Sequence, residues 1–245
     1  WGVVLQYNAE DPHWEGYAWE GVGSLFYNEK GNTARWEHGM ILTSKLSLPM
    51  RAYAADYASK GITLVDPATI PGLSDLGVHA PHVIWARGDL ATLTRPLTDR
   101  IALIGARAAT SYGEHVAGEI ATALADRGIV ITSGAAYGID GAAHRAALHT
   151  GGATIAWLAG GIDRPYPIGH ENLIDRIATH GGAVVAELAP GAAPTKWRFL
   201  ARGRILAALS RATVVVEAGW RSGSLNTAGH AAALGRKLET AAGHH

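Results

Sequence analysis

The sequence predicts an α/β fold, a doubly wound and mostly parallel sheet of the extended Rossmann-like type, preceded by a small N-terminal region. Three observations predict it. From Asp99 onward, short apolar stretches alternate with amphipathic helical ones. The apolar stretches are nearly continuous, as in Thr213-Val-Val-Val216, which a sheet covered on both faces requires. Each is followed by a Gly- or Ser-bearing loop: Gly105-Ala-Arg107, Ser133-Gly134, Gly160-Gly161, Pro190-Gly191 and Ser222-Gly-Ser224. In an open α/β sheet such loops share the carboxyl edge, where ligands bind.

The chain divides into four stretches. Residues 1–45 hold Trp1, Trp14, Trp19 and Trp36 of the chain's 8 Trp, and acidic residues outnumber basic ones there. No clear period is legible; Val3–Tyr7 and Gly23–Tyr27 read as short strands or irregular segments. Residues 46–98 form a lead-in. A helical pattern from Pro49 to Lys60 stops at Gly61, Ile62–Val65 reads as a strand, and Asp66-Pro, Ile70-Pro-Gly and Ala80-Pro mark turns before His82–Trp85, another short strand. His79 and His82 have metal-pair spacing but no third ligand nearby, so they read as surface histidines.

Residues 99–236 carry the regular pattern. Strands read at 101–105, 129–133, 153–159, 183–188 and 213–217, with helices at 111–127, 138–149, 168–180, 198–209 and 222–234. Ser111 with Glu114 reads as a capping box, which leaves the free N–H groups of that helix start as a seat for an anion. Arg107 in the preceding turn fits a phosphate, and equally a surface carboxylate. Residues 237–245 read as a tail whose Gly-His-His end has the look of a purification tag.

Composition excludes several classes. Lys+Arg 21 balances Asp+Glu 21, so a polyanion site must come from local clustering. With Cys 0 there are no disulfides, thiolate nucleophiles or Cys-type zinc sites, and a reducing cytoplasm is the expected location. No apolar run has membrane-spanning length and no signal peptide is legible, so no membrane association is expected.

The motifs argue against the usual enzymes of this fold. The first turn reads Gly-Ala-Arg where a dinucleotide fingerprint needs Gly-x-Gly-x-x-Gly, and the second strand ends Ile131-Thr-Ser-Gly with no carboxylate for a ribose. No Walker-type run exists. Asp140, Asp163, Glu187 and Glu217 are candidate acid/base groups, yet capping or pairing explains them as well. His144, on the helical face of Asp140, reads as a core or capping histidine. No nucleophile, base and orienting group must come together, so no enzyme activity, cofactor or metal is expected.

The run Thr195-Lys-Trp-Arg-Phe-Leu-Ala-Arg-Gly-Arg204 stands out. Lys196, Arg198, Arg202 and Arg204 occur with Trp197 and Phe199 and with no acidic residue, and cations with rings are what a single nucleic-acid strand requires. The alternative is an amphipathic helix with Phe199, Ile205 and Leu206 in the core.

Together, Ile104-Gly-Ala-Arg107 with Ser111-Tyr-Gly113, Ser133-Gly-Ala-Ala-Tyr-Gly-Ile-Asp140, His144-Arg-Ala-Ala-Leu148, Gly161-Ile-Asp-Arg-Pro-Tyr-Pro167 with Asn172-Leu173, and Val216-Glu-Ala218 with Ser222-Gly-Ser-Leu-Asn-Thr-Ala228 resemble the DNA-processing protein A family. The resemblance runs over about 52–236. It implies a single-stranded DNA-binding recombination mediator that helps load the RecA recombinase in natural transformation, without turnover chemistry, and a homodimer as the expected assembly. Carried over by position, it implies DNA contacts from Arg107, Lys196 and the Phe199–Arg204 stretch. With the loop readings above, the candidate DNA-binding set is Arg107, Ser111, Ser133, Gly134, Lys196, Trp197, Phe199, Arg202, Arg204, Ser222 and Ser224.

The chain departs from the family at three places, the first being residues 1–45, where the family's N-terminal helical module is not recognisable. Phe199-Leu-Ala-Arg-Gly-Arg204 stands where the family has Phe-Pro-x-Arg-Asn-Arg, so Gly203 removes a loop amide. After Arg236 the family continues into a strand and often a winged-helix domain; here Lys237-Leu-Glu-Thr-Ala-Ala follows, which leaves the last strand open. A rival resemblance in architecture is to nucleoside-monophosphate phosphohydrolases of the lysine-decarboxylase-like group, but Ala218–Thr227 lacks their Pro-Gly-Gly and glutamate. A purely interacting scaffold is the third reading.

Overall fold

A computed structural model describes residues 2–7, 14–19, 26–27, 56–220 and 222–241. In the N-terminal region β1 (Gly2–Tyr7) pairs antiparallel with β2 (Trp14–Trp19) and parallel with β3 (Phe26–Tyr27). β2 has no counterpart in the sequence reading. Of the helix expected from Pro49, residues 56–59 are helical and the earlier ones lie outside the described residues, as do Trp1, Trp36 and the Gly-His-His end.

The main sheet contains β4 (Thr63–Val65), β5 (Ile84–Gly88), β6 (Arg100–Ile104), β7 (Val130–Ser133), β8 (Thr154–Leu158), β9 (Ala183–Ala186), β10 (Ala212–Val215) and β11 (Lys237–Thr240). Its order is β11-β10-β6-β7-β8-β9-β5-β4. All pairings are parallel except β5 with β9 and β4 with β5. The lead-in therefore extends the sheet itself, and buried Arg100 ties it down by donating to the carbonyls of Pro71 and Leu93. The tail assignment is corrected at Lys237–Thr240: these residues pair with β10, register Ala212 to Lys237. All four are exposed, so edge pairing alone, with no buried side chains, makes this strand, and a hydrophobicity pattern does not reveal it.

Helices cover both faces. α1 (Ser111–Ala125), α2 (Ile139–His149) and α3 (Glu171–Thr179) lie on one; α4 (Lys196–Ala208) and α5 (Gly223–Ala233) lie on the other. The alternation of strand side chains decides which is which. Leu103 and Ile131 pack with Ala121 and Ala143, while Val184 packs with Ile174 and Ile177. Ile104, Val130, Ile155, Trp157 and Val185 point the other way, against Ile205, Leu206 and Leu209. Burying a large apolar side chain is worth roughly 1.5–3 kcal/mol, so this two-sided core is what holds the sheet.

β6 through β9 succeed one another in one direction, whereas β10 lies on the opposite side of β6. The loops after β6 and β10 therefore diverge at the carboxyl edge and leave a crevice between them.

Candidate nucleic-acid interface

That crevice is a cleft of about 410 Å³. Ile104 and Arg107 line it from the end of β6, Asp140 from the start of α2, and Tyr166 from the loop after β8. Lys196, Phe199 and Arg202 contribute from α4, and Ser224 and Thr227 from α5. Thr195 starts α4, its hydroxyl oxygen accepting from the Arg198 N–H at 3.4 Å, and this places Lys196 in the first turn at the cleft mouth.

Arg107 is exposed and its guanidinium carbon lies 4.2 Å from the Phe199 ring centroid. Arg202 approaches the same ring at 5.3 Å, and Tyr166 packs on it tilted, with centroids 5.4 Å apart. Phe199 is thus both half-buried and part of the cleft wall.

Arg202 forms the floor. It is 9% exposed and donates to the carbonyls of Gly134 at 2.5 Å and Trp157 at 3.0 Å. Burial lowers its guanidinium to about 10, with nearby Asp140 opposing the shift. Asp140 is buried too; burial pushes its carboxyl up, against the pull of Arg202 and of the Ala136 N–H that donates to it.

Several candidate DNA-binding residues lie elsewhere. Ser133 is fully buried, its hydroxyl donating to the Leu103 carbonyl at 2.6 Å, so it ties neighbouring strands together and is not available to a ligand. Gly134 is buried behind Arg202 and offers its carbonyl to it. Arg204 grips Glu187 through both terminal nitrogens, at 2.5 and 3.1 Å, and donates to the His79 carbonyl, so its charge is already matched. Trp197 is 76% exposed on the first turn of α4, outside the cleft lining. Arg198 donates back to the Ala193 carbonyl. Gly203 is inside α4 and buried, facing Asn226 and Thr227 of α5, so the departure there concerns helix packing and not a loop.

The capping box is also corrected. Thr110 is the cap of α1, its hydroxyl oxygen accepting from Gly113 N–H at 3.0 Å, and Ser111 is the first helical residue. The anion seat at this helix start holds the carboxylate of Glu217. Thr110 N–H donates to it at 3.1 and 3.2 Å and the Thr110 hydroxyl at 2.9 Å. The start of α5 differs: Ser222 caps it by accepting from Ser224 N–H at 3.3 Å, no acidic residue lies in its first turn, and Gly223 and Ser224 face the cleft.

His144 is fully buried. The Thr154 hydroxyl donates to the Ile131 carbonyl, so its oxygen accepts from His144 Nδ1–H at 2.7 Å, which fixes the tautomer. Burial, then the charges of His170, Arg202 and Arg145, lower the imidazole to about 3. The core reading of His144 therefore holds.

An open, mostly parallel α/β sheet with a cleft at its switch point, lined by cations and rings, defines a Rossmann-like α/β protein. The chain belongs to the DNA recombination-mediator protein A family, whose model matches residues 60–245. It is 54% identical over 165 residues to a putative DNA processing protein DprA of Mycobacterium tuberculosis, covering 67% of this chain and 42% of the relative. To the DNA processing protein DprA of Streptococcus pneumoniae it is 40% identical over 159 residues, covering 65% of this chain and 55% of the relative. The chain thus spans about half the length of these relatives. The X-ray structure of the Streptococcus pneumoniae protein superposes with a TM-score of 0.67 at 35% identity, over 76% of this chain and 66% of that one. DNA processing protein A from Helicobacter pylori, whose structure concerns its single-stranded DNA binding mode, gives 0.66 at 31%, over 73% and 80%.

Proposed function

We propose that this chain binds single-stranded DNA in the switch-point cleft and acts as a recombination mediator without turnover chemistry of its own. The observation that carries the reading is the convergence of Arg107, from the turn after β6, with Lys196 and Phe199 of α4 on one cleft with a helix start free of carboxylates beside it. Phosphates sit on Arg107, Lys196 and the first turn of α5, while buried Arg202 supplies positive potential from below. Bases stack on exposed rings, Tyr166 at the cleft wall and Trp197 on the outer face of α4, each worth about 1–3 kcal/mol.

Among the cleft's described lining residues the carboxyl is that of Asp140, which is buried beside Arg202; burial raises its pKa against the pull of that guanidinium. The family relationship supports the further step, delivery of the strand to a RecA-type recombinase by a cytoplasmic homodimer. No helix among the described residues is long and apolar enough to cross a membrane.

Titration of a labelled oligothymidylate at two salt concentrations tests the binding. Affinity falls steeply with salt, exceeds that for duplex of the same length, and drops in Arg107→Ala and Lys196→Ala. Equal or tighter binding to duplex, or unchanged affinity in both variants, would overturn it. The mediator step is read as recombinase filament assembly on the strand with and without this chain; no acceleration rejects that step alone.

A further inference from the structure

The turn that carries Arg107 is held at both ends by one residue. On one side of Arg107, Ala106 N–H donates to the Glu217 carbonyl at 2.6 Å. On the other side, Thr110 gives its N–H and its hydroxyl to the Glu217 carboxylate. Glu217 follows the end of β10, so the latch spans the switch point from one wall of the crevice to the other. The carboxylate occupies the place at the start of α1 where a mononucleotide-binding unit seats a phosphate. The helix has made room for it: a Cβ on Gly113 would lie 1.9 Å from Glu217 Oε2.

We infer that Glu217 is a positioning residue for strand binding: its carboxylate stands in for a phosphate at the start of α1, bars a ligand phosphate from that seat, and fixes the Arg107 turn so that the guanidinium stands over Phe199 at the cleft. Removing the carboxylate frees Thr110 and lets the turn swing. Arg107 then loses its preset placement, and the entropy of ordering it falls on binding.

This inference rests on the strand-binding reading, and its test separates the two. Oligothymidylate affinity is measured for the wild-type chain, Glu217→Ala, Glu217→Gln, Gly113→Ala and each combined with Arg107→Ala. Glu217→Ala weakens binding about fivefold or more, a size ordinary for coupled neighbours. Glu217→Gln, which keeps an acceptor of nearly the same shape, recovers part of the loss. Gly113→Ala reproduces the loss by evicting the carboxylate, although alanine is otherwise the better helix former. In each background Arg107→Ala costs less than in the wild type, a non-additivity that loss of general stability does not produce. Amide hydrogen exchange at Thr110, whose N–H is held by the carboxylate, reads the latch without DNA and speeds up in Glu217→Ala, while Ala106, whose N–H is held by the Glu217 backbone carbonyl, serves as the internal reference. Unchanged exchange, fully additive losses, or tighter strand binding once the seat is vacated would overturn the inference. Failure of the wild type to bind while exchange still accelerates overturns the strand reading and leaves the latch standing.

Discussion

The guanidinium of Arg107 lies over the ring of Phe199, 4.2 Å from its centroid, with Arg202 at 5.3 Å from the same centroid. A cation over an aromatic face is attracted by the ring quadrupole, by about 0.5–1 kcal/mol when exposed and more when desolvated. The ring organises cations here, and its own faces are largely committed to protein contacts.

Phe199→Leu keeps most of the volume and removes the quadrupole. Strand affinity should fall, by about 0.5–2 kcal/mol, while the denaturation midpoint changes little. Fluorescence anisotropy beside a urea melt checks both, and an unchanged affinity would show that Arg107 needs no such seat.

Arg204 and Lys196 lie on the same helix and should behave oppositely. Arg204→Ala strands Glu187 and frees the His79 carbonyl, costing about 1–3 kcal/mol of stability and leaving the salt slope of DNA binding intact. Lys196→Ala should leave stability alone and reduce the slope by about one. Plots of log affinity against log salt distinguish them.

The buried imidazole makes a pH prediction. His144 takes up a proton near 6.5 when unfolded but only near 3 when folded. The unfolded chain therefore binds the extra proton across that window, and stability is lost as pH falls through it, by up to about 1.4 kcal/mol per unit. His144→Gln should lie below the wild type at pH 7 and close the gap on acidification. Parallel curves in urea melts between pH 7 and 5 would assign the loss to other groups.

Gly134 leaves no room for a side chain: a Cβ would meet Arg202 Nη2 at 2.2 Å and Cζ at 2.4 Å. Gly134→Ala should cost about 1–3 kcal/mol, because the buried guanidinium has its carbonyl partners fixed on either side. A thermal melt checks it; a neutral result would mean that Arg202 has a second rotamer to fall back on.

The parallel core of the sheet is legible in sequence because strands buried on both faces are rich in apolar residues: Ala183–Ala186 is apolar throughout, and Val130–Ser133 sets Val130 and Ile131 before two buried hydroxyl residues. The edges are not legible. β11 carries only exposed side chains, and β5 joins the sheet antiparallel, which nothing in Ile84–Gly88 itself dictates. At the cleft, Lys196 and Phe199 stand out in sequence from charge and ring content, and Arg107 from its turn ahead of a helix start; the structure brings the three together. Arg204 and Ser133 have protein partners that the sequence does not reveal, because composition does not say which partner a polar group has already found. Glu217 shows the converse, since a carboxylate at a strand end looks ordinary until the helix start it fills is in view.

The pairing of β6 with β10 brings together stretches of chain that are remote in sequence, Ile104 standing opposite Val215. Neither half of the crevice exists in advance of the other, so a partly unfolded chain offers no weaker version of the site. Strand capture at the crevice and melting of the sheet should then be one linked equilibrium, and saturating oligonucleotide should raise the melting temperature of the whole sheet rather than of a single lobe.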